Sequence, residues 1–114
     1  FQPMTCLPGE APHPERRARF IAAARLEFLA EVMYYNEVQP GFGERFTVAV
    51  EEAAARAIAF PLSGSPSRSN TRRIIVKGFC FSIFYRPEPD GIVILAVAHH
   101  ARRPFYWRSR TRTR

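Results

Sequence analysis

Residues 72–107 leave this chain few ways to fold. Ile74-Ile75-Val76 is a short apolar run, and from Phe79 to Arg86 the sequence alternates strictly. Successive side chains of a strand point to opposite faces. Phe79, Phe81, Ile83 and Tyr85 therefore share one face, and Cys80, Ser82, Phe84 and Arg86 the other. Pro87-Glu88-Pro89-Asp90-Gly91 follows, where Asp-Gly supplies the left-handed backbone of a tight hairpin. Ile92 to Ala98 is apolar on both faces, as a central, covered strand should be. Three antiparallel strands result. They leave through His99-His100-Ala101-Arg102-Arg103-Pro104-Phe105-Tyr106-Trp107, a basic and aromatic exit.

The residues ahead of the sheet change period. Arg17 to Ala22 reads as a short edge strand carrying Phe20 and Ile21. From Ala23, Leu26, Leu29, Ala30 and Met33 recur at the i, i+3, i+4, i+7 spacing of one helix face. Phe28, Val32 and Tyr35 widen that stripe, and Pro40-Gly41 marks a turn soon after Asn36. Phe46, Ala49, Val50, Ala53, Ala54 and Ala57 line one face of a second helix starting at Gly43 or Glu44. Small residues let a neighbour approach closely, and a short connector pairs the helices as an antiparallel hairpin. Phe60-Pro61 ends the second helix, and 62–70 reads as a Ser/Gly/Pro loop. The predicted order is strand, helix, helix, three strands. That is an α+β domain: a small, mostly antiparallel sheet with a helical hairpin on one face. It spans 17–107, between a proline-broken arm over 1–16 and a basic, solvated tail over 108–114.

A formal net charge of +7 in 114 residues points to an acidic partner: nucleic acid, an acidic protein or an anionic surface. No apolar run approaches the roughly 18 residues of a membrane span. Cys6 and Cys80 are too few and too far apart for a disulfide framework. The residues present show no charged-then-apolar leader, so the reduced cytoplasm is the expected location. Pro3, Pro8, Pro12 and Pro14 keep the arm out of regular structure. Phe1-Gln2, ahead of Pro3 and Met4, is set aside from the fold.

Several pieces recur in a known order. They are Ala24-Arg25-Leu26-Glu27-Phe28, Tyr34-Tyr35, Phe42-Gly43-Glu44-Arg45-Phe46 and Phe60-Pro61-Leu62-Ser63-Gly64. Arg72-Arg73, Ile83-Phe84-Tyr85-Arg86, Ile94-Leu95-Ala96-Val97-Ala98-His99 and Arg102-Arg103-Pro104-x-Tyr106-Trp107 complete the set. From Phe20 to Trp107 the chain resembles the RelE/ParE superfamily of toxins from type II toxin–antitoxin systems, on the ParE side. The resemblance implies a small toxin held inactive by an antitoxin of the same operon. ParE-like members poison DNA gyrase, and RelE-like members cut messenger RNA on the ribosome. Fold alone does not choose between them.

Metal-free RNA cleavage needs a general base, a general acid and cations on the phosphate. The candidates are Lys77, Arg86, His99, His100, Arg102, Arg103 and Tyr106. A hairpin centred near Phe79 sets Lys77 by Phe81 and Arg72 by Arg86, and Asp90-Gly91 sets Arg86 by Ile92. Arg72, Arg73 and Arg86 then gather at one end of the sheet, and Lys77, His99 and His100 at the other. About seven residues separate the ends, some 20 Å, too far for one acid–base pair. Lys77, His99 and Tyr106 remain as a partial ribonuclease site. His99 and His100 point to opposite faces, and no carboxylate or cysteine stands at a ligand spacing, so neither a metal nor another cofactor is expected. Tyr106-Trp107 reads as a target contact or as rings folded back over the sheet.

The sequence thus reads as a ParE-like toxin acting by binding gyrase; a ribosome-dependent mRNA endoribonuclease of RelE type is the alternative. The resemblance implies an antitoxin whose acidic, amphipathic C-terminal segment lies over the helical hairpin and along the sheet. Arg72, Arg73 and Arg86, with no evident local carboxylate, are assigned to that segment's carboxylates. Arg102, Arg103, Tyr106 and Trp107 are assigned to the target. Direct contact of the arginine-rich tail with nucleic acid is the less favoured reading, and no membrane partner is expected.

Overall fold

The computed structural model describes residues 17–67, 69–102 and 105–112. The arm over 1–16 and Arg103, both named above, lie outside the described residues. The elements are β1 (Arg17–Phe20), α1 (Ala22–Val38), α2 (Phe42–Ala59), β2 (Ser65–Pro66), β3 (Arg72–Val76), β4 (Phe81–Glu88) and β5 (Gly91–His99). A 3-10 turn over Arg108–Arg112 follows. The strands form one sheet in the order β1-β5-β4-β3-β2. β1 runs parallel to β5 at the edge, and the other described pairings are antiparallel. The α+β class and the edge strand hold as expected.

Both helices cover the face that carries Phe81, Ile83 and Tyr85. Phe46 of α2 is wholly buried. Its ring lies 5.1 Å from Phe79, 5.1 Å from Phe81 and 5.2 Å from Tyr35. Val50, Ala53 and Ala57 continue that buried face. The connector turns at Gly41, and Asn36 Oδ1 accepts the Gly43 N–H at 2.8 Å. This gives an acceptor to one of the N–H donors a helix start leaves open. The helices meet so closely here that a Cβ on Gly43 would lie 2.5 Å from the Val32 carbonyl oxygen.

α1 corrects the sequence reading in one respect. Leu26 and Met33, which revealed the helix, are 68% and 65% exposed. The face against the sheet is the other one: Ala24 is buried, and Phe28, Val32 and Tyr35 pack on the core. α1 has two apolar faces, and periodicity alone cannot say which one meets the sheet.

Register also departs from expectation. The β3–β4 turn takes in Lys77 to Cys80, and Val76 pairs with Phe81. Arg72 therefore stands opposite Tyr85, not Arg86. An irregularity between Phe84 and Tyr85 then shifts β4 against β5, so Arg86 pairs with Val93. The Ser/Gly/Pro loop contains β2, paired with Arg72 and Arg73. Tyr85 pins that loop: its hydroxyl donates to the Pro61 carbonyl at 2.8 Å and accepts the Gly64 N–H at 3.2 Å.

Candidate functional site

Strand alternation puts Ser82, Phe84, Ala96 and Ala98 on the face away from the helices. The C-terminal segment covers part of this outer face. Trp107 is 1% exposed, with its ring 4.6 Å from Phe84 and 5.9 Å from Phe105. Phe105 sits at the bend with φ 59, a left-handed conformation uncommon for a bulky residue.

A polar knot holds the segment in place. β1 pairs with β5 only as far as Ile94, so the β5 edge beyond it needs other partners. Glu27, reaching over from α1, accepts the Val97 N–H at 3.1 Å. Arg110 donates to the Leu95 carbonyl at 3.0 Å. Glu27 and Arg110 meet in a two-pronged ion pair of 3.0 and 3.1 Å, and the Tyr106 hydroxyl donates to Glu27 at 2.7 Å. Such charge-assisted, forked bonds are the strong ones. Burial, and then the hydrogen bond to Glu27, push the Tyr106 phenol well above its usual pKa. The Arg102 guanidinium lies 3.8 Å from the centroid of the Tyr106 ring. Arg110 therefore belongs to the folded domain, where a solvated tail was expected. The sequence hid this because Glu27 stands 83 positions away.

The predicted site residues fare differently. Arg72 is spent on the Leu62 and Gly64 carbonyls, at 3.0 and 2.8 Å. Arg86 has a local carboxylate after all, Glu88 at 3.2 Å. Arg73 is exposed. Lys77 lies in the β3–β4 turn and lines a groove at the β3 edge with Arg56. His99 Nδ1 accepts the Ala101 N–H at 2.9 Å, and its ring packs edge-on against Phe81. His100 Nε2 lies 2.9 Å from Ser82 Oγ on the other face. Arg73, His99, His100, Arg102 and Tyr106 nevertheless border one cavity of about 370 Å³ on the outer face. The expected division of cations between the two sheet ends is thus incomplete: Arg73 crosses it and Lys77 does not. Among the described residues, no group of three His, Cys, Asp or Glu side chains could hold a metal ion.

The model of the ParE toxin of type II toxin–antitoxin systems, parDE, matches residues 18–104. The chain belongs to the ParE toxin family. It is the toxin half of a toxin–antitoxin pair, and an antitoxin is its partner. A solved structure, the chromosomal ParDE TA system from P. aeruginosa, shares its fold. The TM-score is 0.64 at 18% identity, over 76% of this chain and 98% of that one. No curated protein matches the chain. Among the described residues, no helix is long and apolar enough to cross a membrane. In this ParE toxin Tyr106, Trp107 and Arg110 lie beyond the matched residues.

Proposed function

We propose that this ParE toxin arrests growth by binding DNA gyrase, with Arg102 and Arg103 contacting the target. The observation that carries this reading is the separation of Lys77, at the β3 edge, from His99 and Tyr106, which border the outer-face cavity with their polar atoms already engaged. A general acid and base must converge within hydrogen-bond reach of one substrate. Lys77 lies in a turn at the β3 edge, His99 Nδ1 accepts a backbone N–H, and the Tyr106 hydroxyl is committed to Glu27. Arg102 is exposed and braced on Tyr106. Trp107, assigned to the target from the sequence, is buried against Phe84 and Phe105 and so is not offered to a target.

The antitoxin's amphipathic segment fits the outward face of α1. Leu26, Leu29, Met33, Tyr34 and Val38 are exposed there, an apolar strip of the kind a helix or extended peptide covers. An acidic segment complements the net charge of +7. Of the three arginines assigned to its carboxylates, Arg73 is the most available: Arg72 holds two carbonyls and Arg86 pairs with Glu88.

Purified toxin should inhibit supercoiling by purified gyrase, and Lys77→Ala with His99→Ala should do so equally. Arg102→Ala with Arg103→Ala should lose inhibition while staying folded in a thermal melt, since an exposed guanidinium such as that of Arg102 contributes little to folding. Transcript cleavage in a translating extract, lost in the folded Lys77/His99 variant, would overturn the reading in favour of the ribonuclease.

A further inference from the structure

Gyrase binding leaves the outer-face cavity unexplained. Its volume, about 370 Å³, lies in the range of small-molecule sites. It exists because Ser82 and Ala98 are small. The floor made by β4 and β5 stays low between Arg73 on one side and the C-terminal segment on the other.

The walls carry one sign of charge. Arg73 and Arg102 are permanently cationic, His100 adds an imidazole, and Ser65 and Ser67 add hydroxyls. No carboxylate borders the cavity among the described residues. Arg73 stands opposite Phe84 across β3–β4, which directs it to this face, and its side chain has no hydrogen bond or ion pair among the described residues. Arg102 rests its flat face on Tyr106 at 3.8 Å, leaving its in-plane N–H donors for another partner. Ser82, 1% exposed, sets the His100 ring through its hydroxyl at 2.9 Å. Cations gathered without a carboxylate repel one another, and an anion among them relieves that repulsion.

We propose that this cavity binds the phosphate of a nucleotide. A carboxylate offers two oxygens in one plane. A phosphate directs its oxygens tetrahedrally, so one group can serve Arg73, Arg102 and His100 together. The space exceeds what a phosphate alone fills, and half-buried Phe105 gives the remainder an apolar wall against which a sugar or base can rest. The proposal concerns binding and shares Arg102 with the gyrase reading; Arg73, which that reading does not use, distinguishes the two.

The test is titration of the full-length toxin with adenosine 5′-monophosphate, a dinucleotide without terminal phosphates, adenosine, and a penta-glutamate peptide. Binding is read from the His100 ring resonances and by calorimetry. Adenosine 5′-monophosphate or the dinucleotide should bind, and adenosine should not. Tighter binding of the monophosphate identifies a free nucleotide as the source, and tighter binding of the dinucleotide a strand's backbone; either supports the site. Arg73→Ala and Arg102→Ala, each checked by a thermal melt, should each weaken binding about tenfold or more. Adenosine binding as well as its phosphate overturns the proposal. So does phosphate binding unchanged in folded Arg73→Ala, or binding of the glutamate peptide alone.

Discussion

On the helix side of the sheet, Phe46 sits wholly buried among Phe28, Tyr35, Phe79 and Phe81. On the other side Trp107 lies over Phe84, held by a segment that Glu27 ties down through Tyr106 and Arg110. The first face depends on apolar area spread over two helices. The second depends on one large ring and a handful of polar bonds at the sheet edge. Burial is roughly additive in area, so the first should tolerate small losses. A polar knot fails asymmetrically, because removing one member leaves the others desolvated and unpaired.

The contrast breaks most severely if the outer cover is removed altogether. Truncation after Ala101 deletes Trp107, Tyr106 and Arg110 together. Its cost should be on the order of 5 kcal/mol or more, a large share of a typical stability of about 5–15 kcal/mol. Chemical denaturation should show a chain unfolded or barely folded. Loss of toxicity in this truncation therefore says nothing about target contact.

Phe46→Ala and Trp107→Ala set one face against the other at equal chemistry. Each should cost about 3–5 kcal/mol. The difference lies in the cavity, which Trp107 lines and Phe46 does not: titrated with adenosine 5′-monophosphate, folded Trp107→Ala should bind more weakly than folded Phe46→Ala.

Glu27→Gln sharpens the comparison at the knot. It keeps the shape and removes the charge, at a cost of about 1–3 kcal/mol in urea denaturation. Arg110→Ala in the Glu27→Gln background should cost less than in the wild type, because the two effects belong to one network.

Tyr106 adds a pH dependence. Its folded pKa is raised above the ordinary 10.0 by burial and by Glu27. The folded state therefore holds the phenolic proton more tightly than the unfolded chain. That contribution is complete below about pH 10 and is lost as pH rises beyond it. Tyr35 is shifted in the same direction by burial, so the measurement is the difference between wild type and Tyr106→Phe, whose stability should fall less steeply in alkali.

The smallest effect on folding belongs to a surface that faces neither side of the sheet. Leu26→Ser with Met33→Ser should shift stability by less than about 1 kcal/mol, since both are exposed. The same pair should weaken capture by the antitoxin. Unaltered capture by a folded variant would remove the α1 strip from that interface.

Local pattern alone determined a good deal. The strict alternation from Phe79, the Asp90-Gly91 turn and the alanine-lined face of α2 specified a hairpin of helices on an antiparallel sheet, because each depends only on near neighbours. The order of short motifs also placed the chain in its family. Tertiary structure decided the rest. It selected which apolar face of α1 turns inward, since both have a helical period and only packing of Phe28 and Tyr35 against α2 and the sheet distinguishes them. It set the strand register, because the four-residue β3–β4 turn and the irregularity at Phe84/Tyr85 move each arginine past its expected neighbour. It also joined Glu27 to Tyr106 and Arg110 and drew Arg73 toward Arg102 and His100. Those groups are distant in sequence, and only the folded chain joins Glu27 to its partners and sets Arg73, Arg102 and His100 around one cavity.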